Sequence, residues 1–286
     1  MKNNQPFAKK SLGQHFLSDE KAILKIASAI PENTPLLLEI GPGRGAITSA
    51  LSKRCQCFGL LEKDDNFVQI IPTLLKIEKH ENFHVWHEDA LNFDWERIWT
   101  DTNSPKEMPL MVASNLPYNV ATEIFFRLLA HHKKIPLMVL MFQKEVGARL
   151  AAKAATKSYN HVSILAQNAY EVEIQQILKP GAFTPPPKVE SAVLVFKHRP
   201  ELLVPFETQE QESRFTRLLR ASFTHKRKTV QNSIQMESHQ LPWSNLAKKE
   251  FFLSALEHAK IDPKQRAETI AIQNFGELFR FLEKNG

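Results

Sequence analysis

Cysteine is scarce in this 286-residue chain, which carries only Cys55 and Cys57. Two thiols spaced C-x-C in one apolar stretch make neither a redox C-x-x-C nor half of a zinc site, because no second pair exists. They read as reduced thiols on a strand, and the lack of a disulfide framework points to a reducing compartment. Long apolar runs are lacking too: none approaches the ~18 residues of a membrane span. The first ten residues, Met1 to Lys10, contain no apolar core of the kind an export signal needs. The chain therefore reads as soluble and cytoplasmic, without a membrane partner. The histidines offer no metal cluster. His84 and His87 on a strand would point to opposite faces, and His131-His132 is no better spaced.

What is present bounds the answer further. Hydrophobic residues make up 43% of the chain, enough for a core and too many for wholesale disorder. The length suits one large domain with a small one, or two of middling size. Lys and Arg number 37 against 31 Asp and Glu, a net charge of +6. That excess favours a polyanionic partner only modestly, since many enzymes share it.

Short apolar strands alternate with amphipathic helices. Residues 19–30 read as a helix capped by Ser18 or Asp19, and 36–40 as a buried parallel strand leading into a helix over 46–53. Strands are expected at 57–61, 83–87, 110–113 and 137–142, with helices near 66–79 (interrupted by Pro72), 121–131 and 144–152. This alternation predicts an α/β fold with a doubly wound, Rossmann-like sheet. A late pair of strands at 172–177 and 189–196 would make the sheet mixed. After Lys197-His198-Arg199-Pro200 strand signals vanish, and helices are expected near 209–223, 226–234, 248–259 and 274–284. A domain boundary near 205 follows, giving a domain 1–204 and a small all-helical domain 205–286.

Gly41-Pro42-Gly43-Arg44-Gly45 sits where the first of these strands gives way to a helix. Glycines there permit a tight turn and close approach of a ligand to the backbone, although structural loops can look the same. Glu62, about twenty residues on at the end of the next strand, suits the two hydroxyls of a ribose. The turn is G-x-G-x-G, not the longer form that seats a pyrophosphate on a helix terminus. Glu39 before it would repel phosphate and suits a cation. These features favour S-adenosylmethionine over a dinucleotide. Asp89 follows the third strand and is placed to accept from the cofactor's adenine amine. A helix cap or solvated acid is the plain alternative, and Glu88 competes for the role.

The fourth strand ends in Ser114-Asn115-Leu116-Pro117-Tyr118. Ligands of open α/β sheets bind beyond the carboxyl ends of strands. Asn115 offers a side-chain carbonyl, and Leu116 a backbone carbonyl that Pro117 helps to fix in angle. Two acceptors aimed at one planar amine can orient its nitrogen toward a methyl donor. Tyr118 gives a face for a base to stack on, a contact of ~1–3 kcal/mol. No strong general base is required, so catalysis would rest on positioning and electrostatics. The plain alternative is a strand-to-helix turn that happens to contain Asn and Pro.

Arg214, Arg217, Arg220, Lys226, Arg227 and Lys228 fall within fifteen residues that contain no acid. The arginines recur every third position, on one side of a helix. A solvated basic face is the bland reading. In a chain that modifies a base it becomes a surface for an RNA backbone, with Lys2, Lys9 and Lys10 as further contributors.

Asn115-Leu116-Pro117-Tyr118 resembles the Asn/Asp-Pro-Pro/Leu-Pro-Tyr signature of amino-group methyltransferases. The whole chain resembles one family, the KsgA-type ribosomal RNA adenine dimethyltransferases. The matching segments are Ser11-Leu12-Gly13-Gln14-His15-Phe16-Leu17-Ser18-Asp19, Glu39-Ile40-Gly41-Pro42-Gly43-Arg44-Gly45-Ala46, Asn115-Leu116-Pro117-Tyr118-Asn119 and Gln143-Lys144-Glu145-Val146. Further on come Phe183-Thr184-Pro185-Pro186-Pro187-Lys188-Val189-Glu190-Ser191-Ala192-Val193 and Phe223-Thr224-His225-Lys226-Arg227-Lys228-Thr229. The resemblance implies an S-adenosylmethionine-dependent enzyme with N-terminal residues 1–18 lining the cofactor site. By the same likeness, His15 and Leu17 contact the cofactor, Gly41 and Gly43 lie along its methionine part, Glu62 holds the ribose and Asp89 the adenine. Asn115 lies between cofactor and target amine, and Phe183 stacks on the target adenine opposite Tyr118. One departure is His15, where the family usually has Asn. The implied reaction is N6,N6-dimethylation of two adjacent adenosines in a 3′-terminal hairpin loop of 16S rRNA within the 30S particle or its precursor, by a monomer. The alternatives are a 23S rRNA adenine N6-methyltransferase of the macrolide-resistance type and a non-catalytic rRNA-binding assembly factor.

Overall fold

The structure, a computed structural model, describes residues 15–286. Lys2, Lys9, Lys10 and the Ser11-Leu12-Gly13-Gln14 part of the first motif lie outside the described residues. The chain divides into two compact units: Met1–Gly147 with Glu171–His198, and Ala148–Tyr170 with Arg199–Gly286. Among the described residues, no helix is long and apolar enough to cross a membrane.

The first unit begins with a short strand, β1 (Phe16–Leu17), and helix α1 (Glu20–Ser28). Asp19 caps α1 by accepting from the Ala22 backbone N–H at 2.9 Å, and Ala22, Ile26 and Ala27 form its buried face. Then come β2 (Thr34–Ile40), α2 (Thr48–Ser52) and β3 (Cys55–Glu62). The helical pattern over 66–79 resolves into α3 (Asp65–Val68) and α4 (Ile71–Ile77). Pro72 stands in the first turn of α4, where its missing N–H has no intrahelical partner to lose. The order continues β4 (Phe83–His87), α5 (Arg97–Asp101), β5 (Leu110–Asn115), α6 (Ala121–Leu129), β6 (Leu137–Gln143) and α7 (Lys144–Leu150), which runs across the division between the units. Beyond it lie β7 (Tyr170–Leu178), β8 (Phe183–Thr184) and β9 (Ser191–His198).

Seven strands form one sheet in the order β4-β3-β2-β5-β6-β9-β7. The pairs β2–β3, β2–β5, β3–β4 and β5–β6 are parallel, and β9 returns antiparallel to β6 with Met141 opposite Val193. The sheet is mixed, as the late strand signals predict. The central strands are buried on both faces and therefore read as continuous apolar runs. Leu37, Phe58, Leu60, Val139 and Met141 belong to the core on this sheet. Each such side chain contributes ~1.5–3 kcal/mol on burial. From β2 the chain passes to β3 on one side, and β5 later pairs on the other. That reversal opens a crevice at the carboxyl ends of β2 and β5.

The second unit is helical: α8 (His161–Ala169), α9 (Gln209–Thr224), α10 (Val230–Met236), α11 (Lys249–His258) and α12 (Ile272–Asn285). Asn160 and Ser163 form a capping box at the start of α8. Its interior is aromatic, with the Phe215 and Phe279 rings 5.3 Å apart and Phe206 at 5.4 Å from Phe215. The division differs from the break expected near 205. It falls after His198, and 148–170 belongs with the helical unit. The Tyr159 and His161 rings lie 6.1 and 6.4 Å from Phe223. The Asn168 amide also brackets Val204, accepting from its N–H at 2.7 Å and donating to its carbonyl at 3.1 Å. Ring and amide contacts between distant segments leave no periodic mark in a sequence.

Candidate active site

The carboxyl ends of four parallel strands lie side by side. In register, Ile40 faces Leu61, Glu62 faces His87, and Glu39 faces Ala113. This brings together Gly41, Glu62, Asp89 and Asn115, far apart in sequence. The buried Ser114 hydroxyl donates to the Ile40 carbonyl at 2.5 Å and ties the ends of β5 and β2 together. A cleft there, open to solvent, holds about 1160 Å³ of empty space. It is lined by His15, Leu17, Gly41, Gly43, Glu62 and Asp89, and by all four residues from Asn115 to Tyr118.

Gly41 and Gly43 have φ of +65° and +54°, a backbone region that side chains disfavour. Space is open where a Cβ on Gly41 would stand, whereas one on Gly43 would meet the Phe16 ring at 3.0 Å. The Gly43 N–H donates to Glu62 Oε2 at 2.9 Å, and the Asp64 N–H to Oε1 at 2.8 Å. Glu62 is thus fixed by the turn it faces. Burial pushes its carboxyl above the usual range, with these donors opposing. The Lys63 N–H is a third backbone donor to this carboxyl, which leaves lone-pair capacity for a ligand hydroxyl on one oxygen.

Glu39 is 1% exposed, and burial, with the Glu62 charge adding, pushes its pKa up to about 8. One of its oxygens is buried with no hydrogen-bond partner. Burial thus favours the neutral form of Glu39 in the ligand-free cleft, against the negative charge expected at this position. The oxygen remains as an acceptor on the cleft wall.

Both acids after β4 line the cleft, but they differ in their partners. Glu88 is held by Arg97 at 2.6 Å. Asp89 accepts from the Leu91 N–H at 3.0 Å and pairs with Lys63 at 2.7 Å. Partial burial alone would raise the Asp89 carboxyl; the Lys63 ammonium and Leu91 N–H outweigh it and hold the group below the usual range. Lys63 has no place in the sequence reasoning. Its only signal is a cation directly after Glu62 at a strand end.

The Asn115 amide nitrogen donates to the His15 carbonyl at 2.9 Å. His15 also stacks on Tyr118, rings 5.7 Å apart and 27° from parallel, and bonds the Pro185 carbonyl through Nδ1 at 2.9 Å. The Tyr118 hydroxyl shares a hydrogen bond with the Ser191 hydroxyl. Burial pushes that phenol upward, the Ser191 bond opposing. Leu17 pairs with Phe183 across the small β1–β8 sheet. Phe183 is the expected residue that the cleft does not gather: it is 3% exposed, lies in the core cluster with Leu17 and does not line the cleft. Its pairing with β1, formed by two-residue strands, has no period to read in the sequence.

In the helical unit, Arg217, Arg220, Lys226, Arg227 and Lys228 are exposed. Arg214 is half-buried and engaged by Glu210 and by Glu283, the latter at 3.4 Å. The segment carrying Lys226–Lys228 is braced at both ends. His225 pairs with Glu237 at 2.7 Å, and the Val230 N–H donates to the Gln265 carbonyl at 2.7 Å.

The sheet order and a cleft at the β2/β5 reversal define a Rossmann-like methyltransferase. The family model described as ribosomal RNA adenine dimethylase matches residues 6–284. The chain is 36% identical over 284 residues to ribosomal RNA small subunit methyltransferase A of Syntrophotalea carbinolica, covering 98% of each chain. To the protein of that name from Geobacter sulfurreducens it is 34% identical over 276 residues, 96% of this chain and 95% of the relative. The chain belongs to the ribosomal RNA adenine dimethylase family and is a methyltransferase. In fold it is similar to a dimethyladenosine transferase from Plasmodium falciparum, with a TM-score of 0.78, 24% identity and coverage of 94% of this chain and 98% of that one. It is also similar in fold to the 23S rRNA methyltransferase ErmE, with a TM-score of 0.67, 22% identity and coverage of 94% and 99%.

Proposed function

We propose that this enzyme dimethylates the exocyclic N6 amines of two adjacent adenosines in a 3′-terminal hairpin loop of 16S rRNA, in the 30S particle, as a step in small-subunit biogenesis. The observation that carries the chemistry is the placement of Asn115-Leu116-Pro117-Tyr118 on the cleft at the strand-order reversal. The choice of small-subunit RNA rests on full-length relatives named for it.

The cleft fits S-adenosylmethionine. Glu62 and Asp89 offer acceptors for a ribose and an adenine amine, the open side of Gly41 admits a ligand close to backbone, and the orphaned Glu39 oxygen suits a cationic ligand. His15 and Leu17 complete the wall. The bound cofactor supplies an electrophilic methyl on a sulfonium. The protein's own residues orient the acceptor. With the Asn115 nitrogen committed to His15, its side-chain oxygen accepts one amine hydrogen and the Leu116 carbonyl the other. Held so, the amine would present its lone pair out of the ring plane to the methyl donor, and its proton would leave to solvent after transfer. Positioning of this kind lowers the barrier without a general base. Tyr118 supplies the stacking face. Phe183 serves in the β1–β8 pair that holds Leu17 and His15 in place, and stacking on a base would require it to leave the core. Arg217, Arg220, Lys226, Arg227 and Lys228 bind RNA phosphates, with Arg214 secondary because carboxylates already engage it.

Incubation of the purified protein with labelled S-adenosylmethionine and unmethylated 30S or 50S particles tests this reading. Label is expected in 30S RNA and much less in 50S RNA. Label confined to large-subunit RNA would select the 23S alternative, and no label in either would select a non-catalytic assembly factor.

A further inference from the structure

Lys63 leaves the end of β3 directly after Glu62 and lines the same cleft as Glu62 and Asp89. Its ammonium lies 2.7 Å from Asp89 Oδ2, and the other Asp89 oxygen is fixed by the Leu91 N–H at 3.0 Å. The carboxylate thus has a set direction, with a lone pair to spare on each oxygen. An ammonium has three donors, and among the described residues Asp89 takes one of them. The pair is partly exposed, 59% for Lys63 and 27% for Asp89. Exposed pairs contribute only ~0–1 kcal/mol to folding, so stability gives little reason for a cation at this point of the cleft. Arg97 occupies Glu88, which leaves Asp89 as the acid that meets Lys63.

We propose that Lys63 is a cofactor-binding residue: Lys63 and Asp89 form a donor–acceptor pair that grips one edge of the cofactor's adenine. Asp89 accepts a hydrogen of the amine, and Lys63 donates to a ring nitrogen beside that amine. The proposal rests on the S-adenosylmethionine reading above and adds a recognition element to it. Adenine presents a donor amine flanked by acceptor nitrogens, which is the complement of this pair. A base with an oxo group in place of the amine would set an acceptor against the carboxylate and be rejected.

Calorimetric titration with S-adenosylhomocysteine, which binds without reacting, tests this in wild type, Lys63→Met and Lys63→Arg. The 1-deaza and 7-deaza analogues, each lacking one ring nitrogen, complete the set. Lys63→Met is expected to bind S-adenosylhomocysteine about tenfold more weakly, the loss of a charge-assisted hydrogen bond. Lys63→Arg should retain most of the affinity, and both variants should melt as wild type does. Wild type should bind one of the deaza analogues about tenfold more weakly than the parent. That penalty should vanish in Lys63→Met, because the missing nitrogen and the missing ammonium report one contact. Wild-type affinity in Lys63→Met, or an analogue penalty that persists in it, overturns the proposal and leaves Lys63 as a surface ion pair. Failure of wild type itself to bind S-adenosylhomocysteine is a different result and overturns the cofactor reading beneath it.

Discussion

The amide nitrogen of Asn115 donates to the backbone carbonyl of His15, 2.9 Å away across a hundred residues of sequence. This one contact commits the nitrogen and leaves the side-chain oxygen for the amine contact proposed above. It also joins the N-terminal segment to the motif at the end of β5. Asn115→Ala removes both functions. Its turnover should fall by about 100-fold or more, the scale for loss of one positioned polar group, while S-adenosylhomocysteine affinity falls only a few-fold. Single-turnover methyl transfer alongside calorimetry separates the two, and unchanged turnover would remove Asn115 from the mechanism.

Glu39 gives a prediction in pH. Burial raises its pKa from 4.5 to about 8 in the folded chain. Between those values the unfolded chain has released a proton that the folded chain keeps, so stability falls as pH rises through this window. The slope is at most about 1.4 kcal/mol per pH unit. Glu39→Gln cannot ionise and should gain on wild type steadily from pH 5 to pH 8. Melting temperatures across that range check it; a constant offset between the two proteins would show that Glu39 is already ionised when folded.

Ser114→Ala should separate architecture from chemistry. It removes the buried hydroxyl that donates to the Ile40 carbonyl. The expected cost is about 1 kcal/mol or somewhat more, since an acceptor is left unpaired. Urea denaturation measures it. A variant as stable as wild type would mean that the two strand ends need no such tie.

The basic surface of the helical unit predicts a difference between two arginines of the same helix. Arg220 is exposed, whereas Arg214 is engaged by Glu210 and Glu283. Arg220→Glu should weaken 30S binding and flatten its dependence on salt, by about one unit of slope for a lost phosphate contact. Arg214→Ala should do much less. Equal effects would mean that the whole face is recruited, and no effect from either would make it a solvated surface.

Much of this was readable in the sequence where a physical period exists. Buried parallel strands appear as apolar runs, so β2 through β6 and the crevice at their ends could be located. Glu62 and Asn115 could be placed on the cleft because their positions follow from strand ends. What escaped was set by contacts without period. The two-residue strands β1 and β8 carry no alternation, and they are what draws Phe183 into the core. Helix α8 was missed beside its Asn160 cap, and its attachment to the helical unit depends on the Phe223 ring and the Asn168 amide. The upward push on the Glu39 carboxyl comes chiefly from its burial in the folded chain. Lys63 reaches Asp89 only because the end of β3 lies beside the segment after β4, a neighbourhood that no local pattern encodes.

The most direct test of the central claim is the position of the methyl groups. Unmethylated 30S particles treated with the enzyme and S-adenosylmethionine can have their RNA digested and the modified nucleotides mapped. Two adjacent N6,N6-dimethyladenosines in the 3′-terminal hairpin loop of 16S rRNA are the predicted result. Methylation only at other adenosines, or only in large-subunit RNA, would contradict it.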